Sequence, residues 1–217
     1  MSAESIFFTS NDGLRLHARC YGVRESTAIP VVCLPGLTRT AADFEVLAER
    51  LSAAGRRVIA LDYRGRGLSA YDPNPANYTV PFELGDILTV LDALDVRSAI
   101  FIGTSRGGIL TMMLATVRPQ AIAAAILNDI GPVIELSGLL RIKSYVGKLR
   151  TPQNFAEAAE ILRALFAAQF PTLTDQDWLV SASRAFKQDR GRLEPTYDVR
   201  IADTLKDISP ETIGPGL

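Results

Sequence analysis

Histidine and cysteine are both scarce in this sequence, which has one histidine and two cysteines among 217 residues. They form no cluster and no C-x-x-C pair, so the sequence predicts no metal site. Cys20 and Cys33 each fall within a predicted strand, and in a chain this long and hydrophobic we expect two buried, reduced thiols rather than a disulfide. His17 lies in the second predicted strand, where a lone histidine is most often structural.

An excess of charge of either sign is also missing, since 23 Lys and Arg are balanced by 24 Asp and Glu. Without a basic run or patch, the sequence lacks the electrostatic footprint of a nucleic-acid-binding protein. No apolar run reaches the roughly 18 residues that a membrane-spanning helix needs. The N-terminal stretch has neither a basic start nor a long apolar segment, so we expect no signal peptide, no membrane attachment and a cytoplasmic protein.

Strand and helix patterns alternate through the first 131 residues. A hairpin turn at Asn11-Asp12-Gly13 joins the first two strands. Short apolar strands, of the kind buried on both faces of a parallel sheet, then alternate with helices. The predicted strands are 5–9, 14–21, 29–34, 57–61, 99–102 and 122–127, and the predicted helices are 40–54, 81–94 and 105–118. This order predicts an α/β fold with a mostly parallel sheet flanked by helices.

The composition changes after Pro132, where strand patterns stop and amphipathic helix patterns take over. Helices are predicted at 138–148 and 152–170, and Thr174-x-x-Asp177 resembles a capping box at the start of another. We interpret this region as a helical cap inserted into an α/β core. The predicted divisions are a core of residues 1–131, a cap of residues 132–200 and a segment of residues 201–217 that returns towards the core.

A serine between two glycines stands at the junction of a buried strand and a helix, in the sequence Gly103-Thr104-Ser105-Arg106-Gly107. The pattern G-x-S-x-G at such a junction is typical of a nucleophile elbow. Side chains at the two glycines would collide with neighbouring backbone, which leaves Ser105 at the apex in a strained conformation. The helix that follows is apolar nearly all round, so we expect it to be deeply buried. Its free N–H groups and positive dipole end favour an oxyanion beside the serine.

A second glycine-rich stretch, Gly65-x-Gly67-x-x-Ala70, follows a strand and matches part of a dinucleotide-binding fingerprint. That motif requires a helix that begins at the glycines, whereas Pro73 and Pro75 follow here and prevent one. The elbow itself lacks the lysine of a phosphate-binding Walker loop. We therefore expect no cofactor.

Four motifs, taken together and in this order, resemble those of the α/β-hydrolase superfamily in its cap-bearing branch. They are Leu34-Pro35-Gly36-Leu37 after the third strand, DYRGRGLS at 62–69 after the fourth, the GTSRG elbow after the fifth and Asn128-Asp129 after the sixth. The resemblance covers nearly the whole chain. It implies the α/β-hydrolase fold.

The resemblance also implies roles for individual residues. Ser105 would be the nucleophile, and the backbone N–H groups of Leu37 and Arg106 would form the oxyanion hole. Asp129 stands where a sixth-strand acid would stand, although it could instead form an Asx turn at the entry to the cap. The implied activity is hydrolysis of a small ester, lactone or related carbonyl substrate through an acyl-enzyme.

The chain departs from the family pattern at its C-terminal end. The superfamily places its acid after the seventh strand, or sometimes the sixth, and its histidine after the eighth, and the last two βα units are absent here. His17 is expected to lie too far from the elbow to act as the base, and the sixth strand would form a long apolar edge. We therefore expect a fragment whose catalytic histidine comes from sequence not present here. The alternative is a non-catalytic, α/β-hydrolase-like protein that binds a ligand.

Three side chains are candidates for contact with a small-molecule substrate. Arg39 and Arg106 flank the predicted oxyanion site and would attract an anionic substrate, although they could equally pair with Asp43 or Glu45. Trp178 would help to roof an apolar pocket, although aromatic stripes more often form plain core. The oligomeric state is left open.

Overall fold

A computed structural model describes residues 3–209 of the chain and contains a six-stranded sheet. Its strands are β1 (Glu4–Thr9), β2 (Arg15–Tyr21), β3 (Val31–Leu34), β4 (Val58–Asp62), β5 (Ala99–Thr104) and β6 (Ile122–Asn128). Their order in the sheet is β1-β2-β4-β3-β5-β6. Strand β2 runs antiparallel to both of its neighbours, whereas the pairs β3–β4, β3–β5 and β5–β6 are parallel. The prediction of an α/β fold with a mostly parallel sheet is confirmed.

Helices cover both faces of this sheet. They are α1 (Glu45–Ala53), α2 (Val80–Ala93) and α3 (Arg106–Val117). Because neighbouring strand residues point to opposite faces, Val32 and Phe101 pack in a cluster that includes residues of α2 and α3. Val31 and Cys33 pack in a second cluster with Ala48 of α1. Burying one large apolar side chain contributes about 1.5–3 kcal/mol, so these two layers provide most of the driving force for this architecture.

The two cysteines are buried free thiols, as predicted. Burial raises the pKa of Cys20 to about 11 and that of Cys33 to about 12. Both thiols are therefore protonated at neutral pH and behave as small apolar side chains.

The β6 side of the sheet is more exposed than the sequence predicted. Strand β6 forms an edge, with Ile126 and Leu127 exposed by 53% and 38%. Met113 and Val117 of α3 are exposed by 40% and 56%, so the prediction that this helix is deeply buried is wrong on one side. The predicted burial of the sixth strand is also wrong, because residues 123–128 of β6 are all exposed. The apolar edge that the resemblance implied is confirmed.

Three helices follow β6, as the cap prediction requires. They are α4 (Leu136–Tyr145), α5 (Phe155–Phe166) and α6 (Asp175–Ala185). The capping box at Thr174 and Asp177 is confirmed, with the Thr174 hydroxyl accepting from the Asp177 N–H and the Asp177 carboxylate accepting from the Thr174 N–H. Helices α5 and α6 pack together around a small hydrophobic cluster, separate from the two clusters on the sheet. Its members include Ala158, Leu162 and Trp178.

A β-hairpin follows α6 and contradicts the prediction that strands stop after Pro132. Its strands are β7 (Phe186–Asp189) and β8 (Arg192–Pro195). Phe186 and Leu193 face inward and are buried in the cap core. The sequence signal was weak because each strand has only four residues, most of them charged or polar on the outward side.

The chain after the hairpin is hydrogen-bonded to the loop that follows β4. The Gly67 N–H donates to the Thr196 carbonyl, and the Asp198 N–H donates to the Gly65 carbonyl, both at 2.7 Å. A 3-10 helix, Val199–Leu205, follows. The predicted boundaries at residues 131 and 200 stay predictions, and the end of the predicted return segment, residues 210–217, lies outside the described residues together with residues 1 and 2. None of the helices in the described part is long and apolar enough to cross a membrane.

Candidate active site

Ser105 occupies the turn between β5 and α3. Its φ of 49° and ψ of −109° form a conformation that costs a non-glycine residue about 1–3 kcal/mol. A Cβ atom added at Gly103 would lie 2.4 Å from the carbonyl oxygen of Gly107, and one added at Gly107 would lie 2.0 Å from that of Leu34. The predicted strained turn, closed by two glycines that accept no side chain, is confirmed.

Backbone hydrogen bonds fix this turn on both sides. The Ser105 N–H donates to the Asn128 carbonyl at 2.9 Å, which ties the turn to β6. The Ser105 carbonyl accepts from Gly108 and Ile109 at 2.9 and 3.2 Å, which begins α3. The Ser105 hydroxyl is only partly buried and makes no hydrogen bond to any of residues 3–209. It is therefore free to approach a substrate.

The two amides predicted for the oxyanion hole also have no hydrogen-bond acceptor among residues 3–209. Arg106 is the first residue of α3, where N–H groups have no acceptor within the helix. Leu37 lies in a turn after β3, closed by the Arg39 N–H that donates to the Gly36 carbonyl at 3.1 Å. Its own N–H has no hydrogen bond within the described part of the chain. Because β3 and β5 are parallel neighbours, the turns that follow them lie at the same end of the sheet.

His17 lies in β2, three strand positions from β5 in the sheet. At a strand spacing of about 4.8 Å this separation is about 14 Å, well beyond hydrogen-bond reach of Ser105. The His17 Nδ1 atom is 2.7 Å from Asp62 Oδ2, and its Nε2 atom is 3.0 Å from Ser5 Oγ. The ring is buried and both nitrogens are engaged, so the structural role predicted for this histidine is confirmed.

Asp129 follows β6 at an exposed position with a φ of 56°. Its carboxylate makes no hydrogen bond to any of residues 3–209, so the Asx turn that the sequence left open does not form there. The neighbouring Asn128 Nδ2 donates to Thr104 Oγ1 at 3.3 Å, which links the ends of β5 and β6. A catalytic role for Asp129 stays a prediction.

Arg39 and Trp178, two of the three candidate substrate residues, occupy different environments. Arg39 Nη2 donates to Asp43 Oδ1 at 2.8 Å, and Nε binds the other oxygen, so the alternative pairing that the sequence left open is present. The Arg39 side chain is still 35% exposed. Trp178 is 4% exposed and lies inside the cap core, which favours the core interpretation. Contact of either residue with a substrate stays a prediction.

A buried chain of charges, which the sequence did not predict, connects the two candidate amide residues. Glu83, in the first turn of α2, is fully buried between Arg66 and Arg106. Its Oε2 accepts from Arg106 Nε at 2.7 Å, and its Oε1 lies 2.8 Å from Arg66 Nη1, an ionic contact without hydrogen-bond geometry. Arg66 Nε donates to the Leu37 carbonyl at 2.8 Å. An acidic residue in the first turn of a helix ordinarily faces water, so the sequence carried no signal for this burial.

The same cluster concentrates positive charge, since two guanidinium groups share one carboxylate. Burial lowers the pKa of Arg66; the carboxylate of Glu83 opposes this shift and the charge of Arg106 adds to it. The Nη2 atoms of both arginines are buried and have no hydrogen-bond partner within residues 3–209.

Two cavities lie elsewhere on the molecule. One, of about 310 Å³, is lined by residues that include Asn11, Arg64 and Phe82. The other, of about 440 Å³, is lined by cap residues that include Pro152 and Arg192. Ser105 lines neither, so we assign neither to the substrate. Within the described ranges, no group of three or more His, Cys, Asp or Glu side chains could hold a metal ion.

Comparison with known proteins places the chain in a family. The family model described as alpha/beta hydrolase fold matches residues 29–204. A 3-hydroxybutyrate-oligomer hydrolase from Cupriavidus necator is 32% identical over 207 residues, which are 93% of this chain and 70% of that protein. An sn-1-specific diacylglycerol lipase from Xenopus laevis is 32% identical over 104 residues, which are 48% of this chain and 32% of the lipase.

A solved structure agrees with these similarities. The crystal structure of an alpha/beta hydrolase from Novosphingobium aromaticivorans superposes with a TM-score of 0.88 and is 42% identical, covering 92% of this chain and 70% of that one. The chain therefore spans about 70% of two of these relatives and about a third of the lipase. Its sheet, its strained serine turn and the family model that matches most of its length show that the chain belongs to the alpha/beta hydrolase fold family.

Proposed function

We propose that the protein is a serine hydrolase of a small ester, lactone or related carbonyl substrate, with Ser105 as the nucleophile. The observation that carries this proposal is the strained backbone of Ser105, with its φ of 49° between two glycines that tolerate no side chain. Such strain persists only where the surrounding structure enforces it, and it occurs preferentially at functional sites. Two relatives have names that specify cleavage of ester-linked compounds, which supports the same substrate class.

The proposed reaction begins with attack of Ser105 Oγ on the substrate carbonyl carbon. The electrons of the carbonyl bond move to its oxygen, and the N–H groups of Leu37 and Arg106 stabilise the resulting oxyanion. Each such donor is worth about 100- to 1000-fold in rate. The base takes the Ser105 hydroxyl proton during the attack and gives it to the leaving oxygen as the tetrahedral intermediate expels the alcohol to form an acyl-enzyme. Water then attacks the acyl-enzyme, which releases the acid and returns a proton to Ser105 Oγ. No metal or cofactor takes part in these steps.

The base in this proposal is a histidine from polypeptide outside the given sequence, because His17 is committed to Asp62 and Ser5. The exposed apolar residues of β6 and α3 support this part of the proposal, since natural sheets rarely leave such an edge open. Asp129, at the end of β6, is the acid that we propose within this chain. We further propose that Arg39 attracts an anionic group of the substrate and that Trp178 supports the cap above it.

A non-catalytic ligand-binding protein is the second candidate, and the engagement of both His17 nitrogens favours it. Hydrolysis of p-nitrophenyl butyrate, with and without added imidazole, separates the two candidates. Imidazole supplies the missing base, so we expect imidazole-dependent turnover and labelling by a fluorophosphonate probe. In Ser105→Ala the labelling should disappear and turnover should fall to the rate that imidazole gives without protein. Both signals should persist in Ser183→Ala, which removes an exposed hydroxyl from α6. Turnover that is unchanged in Ser105→Ala would refute the nucleophile, and absence of both signals in the parent protein would favour the binding protein.

A further inference from the structure

We propose that Arg66 and Glu83 are positioning residues that hold the two oxyanion-hole amides at a fixed separation. This inference rests on the proposed function for the identity of those amides. It goes beyond that function because neither Arg66 nor Glu83 bears the nucleophile or donates to the oxyanion.

The geometry is a continuous bridge from one amide residue to the other. It begins at the Leu37 carbonyl, which accepts from Arg66 Nε at 2.8 Å. It continues from Arg66 Nη1 to Glu83 Oε1 at 2.8 Å and from Glu83 Oε2 to Arg106 Nε at 2.7 Å. The side chains of Arg66 and Glu83 thus connect the turn that contains Leu37 to Arg106, the first residue of α3. These are the two residues whose N–H groups form the proposed oxyanion hole.

The bridge is held rigidly at its centre. The side chains of Arg66 and Glu83 are both 0% exposed, so neither charge can leave its partner and be solvated by water. The rings of Tyr63 and Tyr78 each lie 5.6 Å from the Arg66 guanidinium carbon. Arg66 Nη1 also donates to the Arg64 carbonyl at 2.7 Å. These contacts leave Arg66 no room for another rotamer without the loss of several interactions at once.

The charge balance of the bridge matches the charge that the reaction would create. The two guanidinium groups of Arg66 and Arg106 and the carboxylate of Glu83 together carry one net positive charge. Arg106 directly follows Ser105 in the chain, so this charge lies close to the serine turn. Preorganised positive groups near a developing oxyanion lower its energy without reorganisation during the reaction. A purely structural salt bridge would need only one arginine for one carboxylate. The second arginine, next to the nucleophile, is the feature that points to the site.

The test compares three variants by amide NMR and by imidazole-assisted hydrolysis. Glu83→Gln removes the central charge, and Arg106→Met removes one end while it leaves Arg66 and Glu83 as a balanced pair. Asp86→Asn is the matched control, because Asp86 is a buried carboxylate in the same helix that pairs with Arg64 instead. We expect Glu83→Gln to shift the Leu37 and Arg106 amide signals most, and Arg106→Met to shift the Leu37 signal. Both variants should lower kcat about tenfold with KM unchanged. The control should leave those two signals and kcat as they are.

The two readouts keep this inference separate from the proposed function. Amide chemical shifts are measured in the protein without substrate, so they test the bridge even if no turnover is found. The inference is overturned if Glu83→Gln leaves both amides unmoved, or if Asp86→Asn moves them equally. If Glu83→Gln yields no folded protein, Arg106→Met decides by the Leu37 amide signal alone, because this substitution itself changes the signal of residue 106. If Glu83→Gln shifts the amide signals as expected but no Ser105-dependent turnover is found, the proposed function is refuted and the bridge is still supported.

Discussion

Arg64 and Arg66 stand two residues apart in one loop, and both guanidinium groups are buried, yet their partners differ. Arg64 contacts three carboxylates, with two bonds of 2.7 Å to Asp86, one of 2.8 Å to Asp72 and two of 2.9 and 3.2 Å to Asp12. Arg66 shares a single carboxylate with another arginine. The first cluster has an excess of negative charge and the second an excess of positive charge.

This difference shows that burial alone does not tell what a charged side chain does. Burial lowers the pKa of Arg64, but its hydrogen bonds to Asp86 and Asp12 outweigh that effect and raise the pKa above its ordinary value. The Arg64 cluster thus ties together the β1–β2 turn, α2 and the loop after β4, and its role is structural. The Arg66 cluster leaves buried N–H donors unpaired within residues 3–209 and adjoins the residue after Ser105, which fits a site rather than a scaffold.

The largest effect should come from removal of Arg64. Arg64→Met leaves buried carboxylates unpaired and should lower the free energy of unfolding by about 3–5 kcal/mol. Arg66→Met leaves Glu83 paired with Arg106 and should cost only about 1–3 kcal/mol, mainly through the unpaired Leu37 carbonyl. Urea unfolding measures both. Arg97→Met, at a side chain that is 89% exposed, is the control and should stay within about 0.5 kcal/mol. An equal or larger loss in Arg66→Met would contradict the comparison.

A smaller effect should follow from a change at Gly65, which separates the two arginines. Gly65 has a φ of +73°, and a Cβ atom there would lie 2.6 Å from the Tyr78 ring. Gly65→Ala should therefore cost about 2–4 kcal/mol, as the sum of backbone strain and overlap. Gly55→Ala isolates the strain, since Gly55 has a φ of +84° with nothing within 4 Å, and it should cost about 1–2 kcal/mol. Thermal or urea unfolding of the two variants should show this difference in the free energy of unfolding. Equal losses would mean that the Tyr78 ring moves aside at little cost.

Tyr78 connects the two clusters and should have an intermediate effect. Its hydroxyl accepts from the Asp72 N–H at 2.8 Å and donates to Asp198 Oδ2 at 2.6 Å. Tyr78→Phe keeps the ring beside Arg66 and should cost about 1–2 kcal/mol in urea unfolding. Tyr71→Phe is a suitable control, because among the described residues the Tyr71 hydroxyl has only a long contact of 3.5 Å, with Lys187. Equal losses in the two variants would show that the Tyr78 hydroxyl contributes nothing special.

The smallest effect should be a pH dependence from Asp12. Its hydrogen bond to Arg64, followed by that to Ser10, lowers its pKa from 3.8 to about 2. A lowered pKa means that the stabilisation is present above about pH 4 and is lost as the pH falls towards 2. The stability difference between the parent protein and Asp12→Asn should therefore shrink across this window in urea unfolding. Because the Asp12 side chain is 36% exposed, solvent screening keeps the whole effect small. A difference that stays constant with pH would argue against the Arg64 contact.

Much of the fold and the serine turn could be predicted from the sequence. Each strand of the six-stranded sheet was predicted, with small shifts at the ends, because short apolar runs between turn residues are a local signal. The strain at Ser105 was predicted as well, since it follows from two glycines that flank it in sequence. The hairpin β7–β8 was missed because its strands are too short and too polar to show a pattern.

The charged part of the site could not be predicted, and the reason lies in sequence separation. Glu83, Arg66 and Leu37 belong to three different elements, and nothing local in any of them indicates the others. The exposure of β6 and α3 could not be predicted either. Their apolar residues have the pattern of core residues in sequence, but several of them are exposed at the sheet edge.

By itself, then, the sequence determined the order of strands and helices in the first 131 residues, the serine turn and the burial of both cysteines as free thiols. Neighbouring residues decide these features through sterics and hydrophobic periodicity. Only the tertiary structure decided which carboxylate each buried arginine received, which apolar surfaces remained exposed and where His17 was held. Those outcomes depend on atoms brought together across the sheet, and burial makes the energy of each charge depend on its neighbours in space.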